Sequence, residues 1–270
     1  MSDTRPTEAV GHVDGLAVTR LGEGNGPTVV VVHGTMDRSA AFRRSARRVE
    51  GLDLVLYDRR GYSKSAGSGL SPDVASQVAD LSRVVHWASS RPVVLVGHSL
   101  GGLISAHLAI AEPDRVRAVG LWEPPLPWVE WYRSSAGERA LRLGRTTDGS
   151  AAAEYFLRAV VGDRIWERMP PDMQNERLAE GPTLLADLDL CRRPEARFEP
   201  VDLGCPAVVG WGSESPWRFR RSAAMLLDEM ADAEGFEVEG AGHGVHLTHP
   251  TEFVRFIEAT VDRGVPSHAA

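Results

Sequence analysis

The chain has 270 residues, 43% hydrophobic and 25% charged, with a formal net charge of −7. That balance belongs to a globular protein with apolar residues enough for a sizeable core, one domain or one domain with an insertion, and the acidic excess argues against nucleic acid or an anionic membrane surface as a partner. No apolar run reaches membrane-spanning length, and the only two cysteines, Cys191 and Cys205, make neither a disulfide framework nor a metal-ligand spacing.

In chain order, the opening residues from Met1 to Glu8 read as a polar tail without the apolar core of a signal peptide. The expectation is a reduced, cytoplasmic protein. A strand or hairpin follows over 12–21, then a Gly- and Pro-rich turn over 22–27. Residues 28–32 form a continuous β-branched run, the pattern of a strand buried on both faces. His33-Gly34-Thr35-Met36 ends it, and 39–49 reads as a helix whose cluster of Arg43, Arg44, Arg47 and Arg48 is a solvated face. A second buried strand over 52–57 ends at Asp58-Arg59-Arg60-Gly61. Val74, Val78, Leu81 and Val85 then fall on one face of a helix.

The stretch from Pro92 to Gly102 is the centre of the chain. An apolar strand, Val93 to Val96, stops at Gly97-His98-Ser99-Leu100-Gly101, and a helix-compatible run follows over 103–111. A strand turning sharply into a helix strains the corner residue, and small residues two before and two after it let the two elements approach. The corner side chain then points beyond the sheet. Ser99 is placed there as a nucleophile, with the Leu100 N–H beside it as half of an oxyanion hole. Another strand over 116–122 ends at Glu123-Pro124-Pro125.

From about 126 to 203 no buried strand is expected. Helical periodicity and large apolar residues, among them Trp128, Trp131, Tyr155 and Trp166, read as a helical cap inserted into a core made of 1–125 and 204–270. A strand over 206–211, a helix over 218–230, a strand over 236–238, the segment Gly240-Ala241-Gly242-His243 and a last helix over 251–261 complete an α/β chain with a mostly parallel, doubly wound sheet.

The order of His33-Gly34, Asp58-x-x-Gly61-x-x-x-Ser65, Gly97-His98-Ser99-Leu100-Gly101-Gly102 and Gly240-x-Gly242-His243 resembles the α/β-hydrolase superfamily over nearly the whole chain outside the cap. The resemblance implies the α/β-hydrolase fold and a serine hydrolase without cofactor or metal. It implies His243 as the base that activates Ser99, Thr35 as the second oxyanion donor, and a structural Asp58. Met36 lines the same wall. His98 and Trp128 are the other candidates for contact with a small acyl or ester substrate, while His33 and His98 also sit where they could orient backbone. An aspartate at the elbow would have implied haloalkane dehalogenase or epoxide hydrolase chemistry; Ser99 argues against both.

The acid is where the chain departs from the pattern. The position that usually carries it, three residues after the strand-ending Gly212, holds Ser215. Glu214 is one residue out of register, and Glu123 closes an apolar strand at the same sheet edge, backed by two prolines; Glu123 has the stronger physical case. The reading is therefore a carboxylesterase-like hydrolase working through an acyl-enzyme. Perhydrolase or acyltransferase chemistry, or a ligand-binding sensor on the same fold, stays open, and the oligomeric state is not readable.

Overall fold

A computed structural model describes residues 8–22, 25–132, 135–146 and 149–265. The polar tail before residue 8 and residues 23 and 24 of the 22–27 turn lie outside these. The first strands, β1 (Glu8–Val13) and β2 (Leu16–Leu21), form an antiparallel hairpin. Its turn, Asp14-Gly15, takes positive φ at both residues (48° and 84°), the twist that suits a two-residue hairpin. Then come β3 (Thr28–Val32), α1 (Arg43–Ala46), β4 (Asp53–Tyr57), α2 (Val74–Ala88), β5 (Val93–His98), α3 (Leu100–Ala111) and β6 (Val116–Trp122). Helices α4 (Ser135–Gly144), α5 (Ser150–Val161), α6 (Asp163–Arg168), α7 (Pro171–Ala179) and α8 (Gly181–Leu190) precede β7 (Ala207–Gly212). The chain closes with α9 (Trp217–Glu229), β8 (Ala233–Val238), α10 (Val245–Thr248) and α11 (Pro250–Arg263).

The strands make one eight-stranded sheet in the order β1-β2-β4-β3-β5-β6-β7-β8, parallel from β4 onward and antiparallel at the β1–β2 edge. One face carries Leu81, Val85, Leu103 and Leu226 from α2, α3 and α9; the other carries Phe253, Phe256 and Ile257 from α11. Burial on both faces explains why β3, β5 and β6 read as unbroken apolar runs. No helix is long and apolar enough to cross a membrane among the described residues.

One expected helix is different in the structure. Residues 39–49 do not run continuously; a 3₁₀ turn over Ser39–Phe42 leads into the four-residue α1. The Ser39 N–H donates to Asp58 Oδ1 (2.8 Å), and Phe42 and Ala46 are drawn under α11 into the core, so tertiary anchors override the local helical period. The basic cluster is solvated as expected at Arg44, Arg47 and Arg48, while Arg43 pairs with Glu8.

The segment between β6 and β7 is joined to the sheet by a buried ion pair. Arg59, just past β4, donates from Nη2 to Asp187 Oδ2 on α8 (2.7 Å) and from Nη1 to Oδ1 (3.2 Å), with both side chains out of water. The same guanidinium donates to the carbonyls of His33 (3.0 Å) and Gly34 (3.1 Å), and Tyr62 Oη donates to Asp187 Oδ2 (2.7 Å). Burial alone would lower the Arg59 pKa, but Asp187 holds it above its ordinary value. Around this polar knot, Met36 and Tyr62 pack against Ala152, Leu157, Trp166 and Leu184. Arg60 pairs with Asp80 instead (2.7 and 2.8 Å).

An unpartnered buried guanidinium is costly, so Asp187→Ala should destabilise the protein by about 3–5 kcal/mol in urea unfolding. The double variant Arg59→Met/Asp187→Leu, which removes both charges, should recover most of that loss. Equal stability of single and double variants would show that the pair is not the tie.

Candidate active site

Three strands of the parallel sheet end in residues with left-handed backbones: Met36 (φ 54°) after β3, Ser99 (φ 55°) after β5 and Glu123 (φ 45°) after β6. Each such conformation costs about 1–3 kcal/mol for a residue with a side chain, and such strain gathers at functional sites. At the elbow the close approach is plain. A side chain on Gly97 would strike the backbone of Gly101 and Gly102, and one on Gly101 would strike the carbonyls of Val32 and His33. Ser99 is fixed by its own N–H donating to the Trp122 carbonyl (2.8 Å), and it opens α3. Leu100 is the first residue of that helix, so its N–H has no acceptor within it. The Thr35 N–H likewise meets no protein acceptor among the described residues.

Glu123 is buried, with its side chain out of water, and its carboxylate is used at both oxygens. Oε2 lies 2.6 Å from His243 Nδ1, and Oε1 accepts the Gly212 N–H at 2.9 Å. A carboxylate facing Nδ1 assigns the hydrogen to that nitrogen and leaves the Nε2 lone pair free to take a proton. Phe219 of α9 stacks on the imidazole, with ring centroids 4.6 Å apart and planes 12° apart. Ser99 Oγ makes no hydrogen bond among the described residues; the preceding His98 ring bonds the His243 carbonyl and so ties the elbow to the His243 loop.

The other sequence-derived candidates fall as follows. Glu214 is exposed in the loop after β7, with its N–H held by the Ala241 carbonyl, while the carboxylate that meets His243 is that of Glu123. Ser215 is buried, and its hydroxyl has no hydrogen-bond partner among the described residues. His98 is buried, and its Nε2 bonds the His243 carbonyl (2.8 Å), as a residue that orients backbone would. Trp128 packs edge-on against Phe198 (5.4 Å) and is half-buried. Met36 is buried in the cluster shared with the helical segment, and its N–H donates to Tyr62 Oη (3.3 Å). Asp58 accepts the N–H groups of Ser39 and Lys64, the structural use the motif implies.

His33 holds the strand end. Its Nε2 accepts the Arg59 N–H (2.8 Å), so its Nδ1 donates to the Gly34 carbonyl (2.8 Å). Burial, then the neighbouring Arg59 charge, pushes its pKa down to about 4. Burial, with His246 and His243 nearby, also holds His98 well below the usual histidine range. Sequence reasoning missed Phe219, which looks like any apolar residue on a helix face, and the Gly212 N–H. It also missed that Asp37, His98 and His246 each place a ligand atom within 4.8 Å of the others, because no spacing in the chain brings those three together.

The model of the alpha/beta hydrolase family matches the sequence over residues 29–256. The chain belongs to that family. Among curated relatives it is 29% identical over 241 residues to a pimeloyl-[acyl-carrier protein] methyl ester esterase of Chromobacterium violaceum, covering 86% of this chain and 93% of that one. It is 31% identical over 207 residues to the lipase LipV of Mycobacterium tuberculosis, covering 74% and 70%. The solved structure of a bromoperoxidase from Bacillus anthracis superposes with a TM-score of 0.75 at 20% identity, over 95% of this chain and all of that one (100%), a likeness of fold.

Because His33 stays neutral in the folded protein down to about pH 4 while an unfolded imidazole protonates near 6.5, its contribution is fully present above pH 6.5 and is lost as pH falls. The expected loss is roughly 3 kcal/mol between pH 6.5 and 4. Urea unfolding across that range should show a shallower pH slope for His33→Gln than for the unaltered protein; parallel slopes would refute the assignment.

Proposed function

We propose that this protein is a carboxylic ester hydrolase that works through a serine acyl-enzyme. The observation that carries the reading is the buried Glu123 carboxylate on His243 Nδ1, together with a strained Ser99 at a strand-to-helix corner, next in the chain to His98, whose ring bonds the His243 carbonyl. Ser99 Oγ attacks the ester carbonyl carbon as His243 Nε2 takes the hydroxyl proton. The carbonyl becomes an oxyanion facing the Thr35 and Leu100 N–H groups, the positive end of α3 behind the latter. When it re-forms, the C–O bond to the alcohol breaks and His243 returns its proton to the leaving oxygen. Water then attacks the acyl-enzyme by the same route, giving the acid and restoring Ser99. The step needs Oγ and Nε2 to reach hydrogen-bond distance with substrate in place, a contact that is often long without it.

Glu123 serves as the acid in place of the usual position, occupied here by Ser215, and residues 126–203 serve as a cap over the site. Relatives named as an ester esterase and a lipase support ester chemistry. A carboxylate that meets the imidazole weighs against a non-catalytic binding protein on the same fold. The substrate is a small acyl ester, and no cofactor takes part in the reaction. A reduced, cytoplasmic setting suits the two free cysteines.

The test pairs labelling by a fluorophosphonate probe with turnover of p-nitrophenyl esters of rising chain length. Ser99→Ala should lose both, and full residual turnover would sink the nucleophile assignment. Glu123→Gln should lower kcat by about 10²–10⁴, in the range known for replacing a triad carboxylate by its amide. Glu214→Gln should stay within about twofold, as expected of an exposed charge away from the imidazole; the reverse ranking would move the acid to the β7 loop.

A further inference from the structure

Behind the catalytic histidine lies a second group of donors that the ester chemistry does not use. Asp37 follows β3, His98 ends β5, and His246 sits on α10. His246 Nε2 is 3.1 Å from Asp37 Oδ2, and His98 Nδ1 is 4.0 Å from the same oxygen. Both imidazoles are more than nine-tenths buried. Yet among the described residues His98 Nδ1 and His246 Nδ1 lack a hydrogen-bond partner, and His246 Nε2 meets only the Asp37 carboxylate, at ion-pair distance. Buried nitrogens without partners are rare and each calls for an explanation.

The chemistry of His98 supplies one. Its Nε2 faces only the His243 carbonyl oxygen, an acceptor, so Nε2 carries the hydrogen and Nδ1 presents a bare lone pair. That lone pair lies 4.0 Å from the Asp37 carboxylate, so two acceptors share one small space that a cation would satisfy. Two imidazoles and one carboxylate are zinc-class ligands. Tetrahedral zinc, with bonds of about 2.0–2.1 Å, sets its donor atoms about 3.3 Å apart; two of the separations are 3.1 and 4.0 Å, and all three donors lie within 4.8 Å of one another. A metal-bound histidine habitually donates its other N–H to a backbone carbonyl, as His98 does here. The His246 ring is held in plane by Phe42, stacked at 4.2 Å and 13°. Asp37 remains part-exposed and gives a route in from solvent.

We propose that Asp37 Oδ2, His98 Nδ1 and His246 Nε2 form a binding site for one divalent transition cation of the zinc class, which clamps the loop after β3, the nucleophile elbow and the His243 loop together. The site is structural and takes no part in acyl transfer. Occupancy stabilises the native state by mass action.

The experiment uses the full chain, stripped with a chelator and dialysed against Zn²⁺ or Co²⁺. One zinc per chain should be retained, the cobalt form should show the visible bands of a four-coordinate N/O site, and the thermal midpoint should rise by about 5–10 °C at a hundredfold excess over Kd. His246→Phe, which keeps an aromatic ring against Phe42, and Asp37→Asn should each lose the metal and the shift. If His246→Phe does not fold, as judged by circular dichroism, Asp37→Asn alone decides. No retained zinc would overturn the proposal and leave a buried Asp–His contact. So would zinc that persists in both variants and disappears in His243→Ala, which would place it on the catalytic histidine.

Discussion

Arg59 is a full charge with no surface in water, and much of the molecule is arranged to make that tolerable. Its two-point contact with Asp187 joins the sheet to α8, and its other donors hold the His33 and Gly34 carbonyls. One guanidinium thus sets the position of the loop that carries Thr35 and that of the helical segment above it. Such a pair adds little net stability over apolar residues of the same size, because desolvation offsets attraction. Its value is in placement, since a planar fork with fixed donor directions permits few arrangements of its acceptors.

The catalytic edge follows from the parallel sheet. In such sheets the strand ends on the carboxyl side open into one crevice, where loops from neighbouring strands meet. Met36, Ser99 and Glu123 each leave their strand in a backbone conformation disfavoured for a residue with a side chain. The surrounding contacts hold them there: the Ser99 N–H on Trp122, the Glu123 N–H on the Gly210 carbonyl, the Met36 N–H on Tyr62. A side chain at the end of β6 can reach the end of β7, because adjacent strands lie about 4.8 Å apart. The Glu123 side chain crosses that gap, bonds the Gly212 N–H that ends β7, and meets His243.

Much of this was legible beforehand, for identifiable reasons. Strands buried on both faces announce themselves as β-branched runs, and β3 and β6 match their sequence-derived bounds residue for residue. The elbow was legible because only small residues fit where a helix is pressed against the strand that precedes it. The 39–49 segment was misread as one helix, because its apolar residues are placed by Asp58 and the underside of α11 rather than by a 3.6-residue period. Which way Trp128 and His98 face was not legible, because side-chain type says nothing about orientation.

What the sequence by itself determined is the order of elements, the strained corner at Ser99, and the short list of carboxylates and histidines near the sheet edge, since local sterics and hydrophobic patterning act over a few residues. The tertiary structure alone decided which carboxylate meets His243, that Phe219 covers its ring, and that Asp37, His98 and His246 share one buried space. Those contacts join residues up to 209 positions apart (His246 minus Asp37). No local propensity encodes them, and they exist only because the sheet register brings separate strand ends to the same edge.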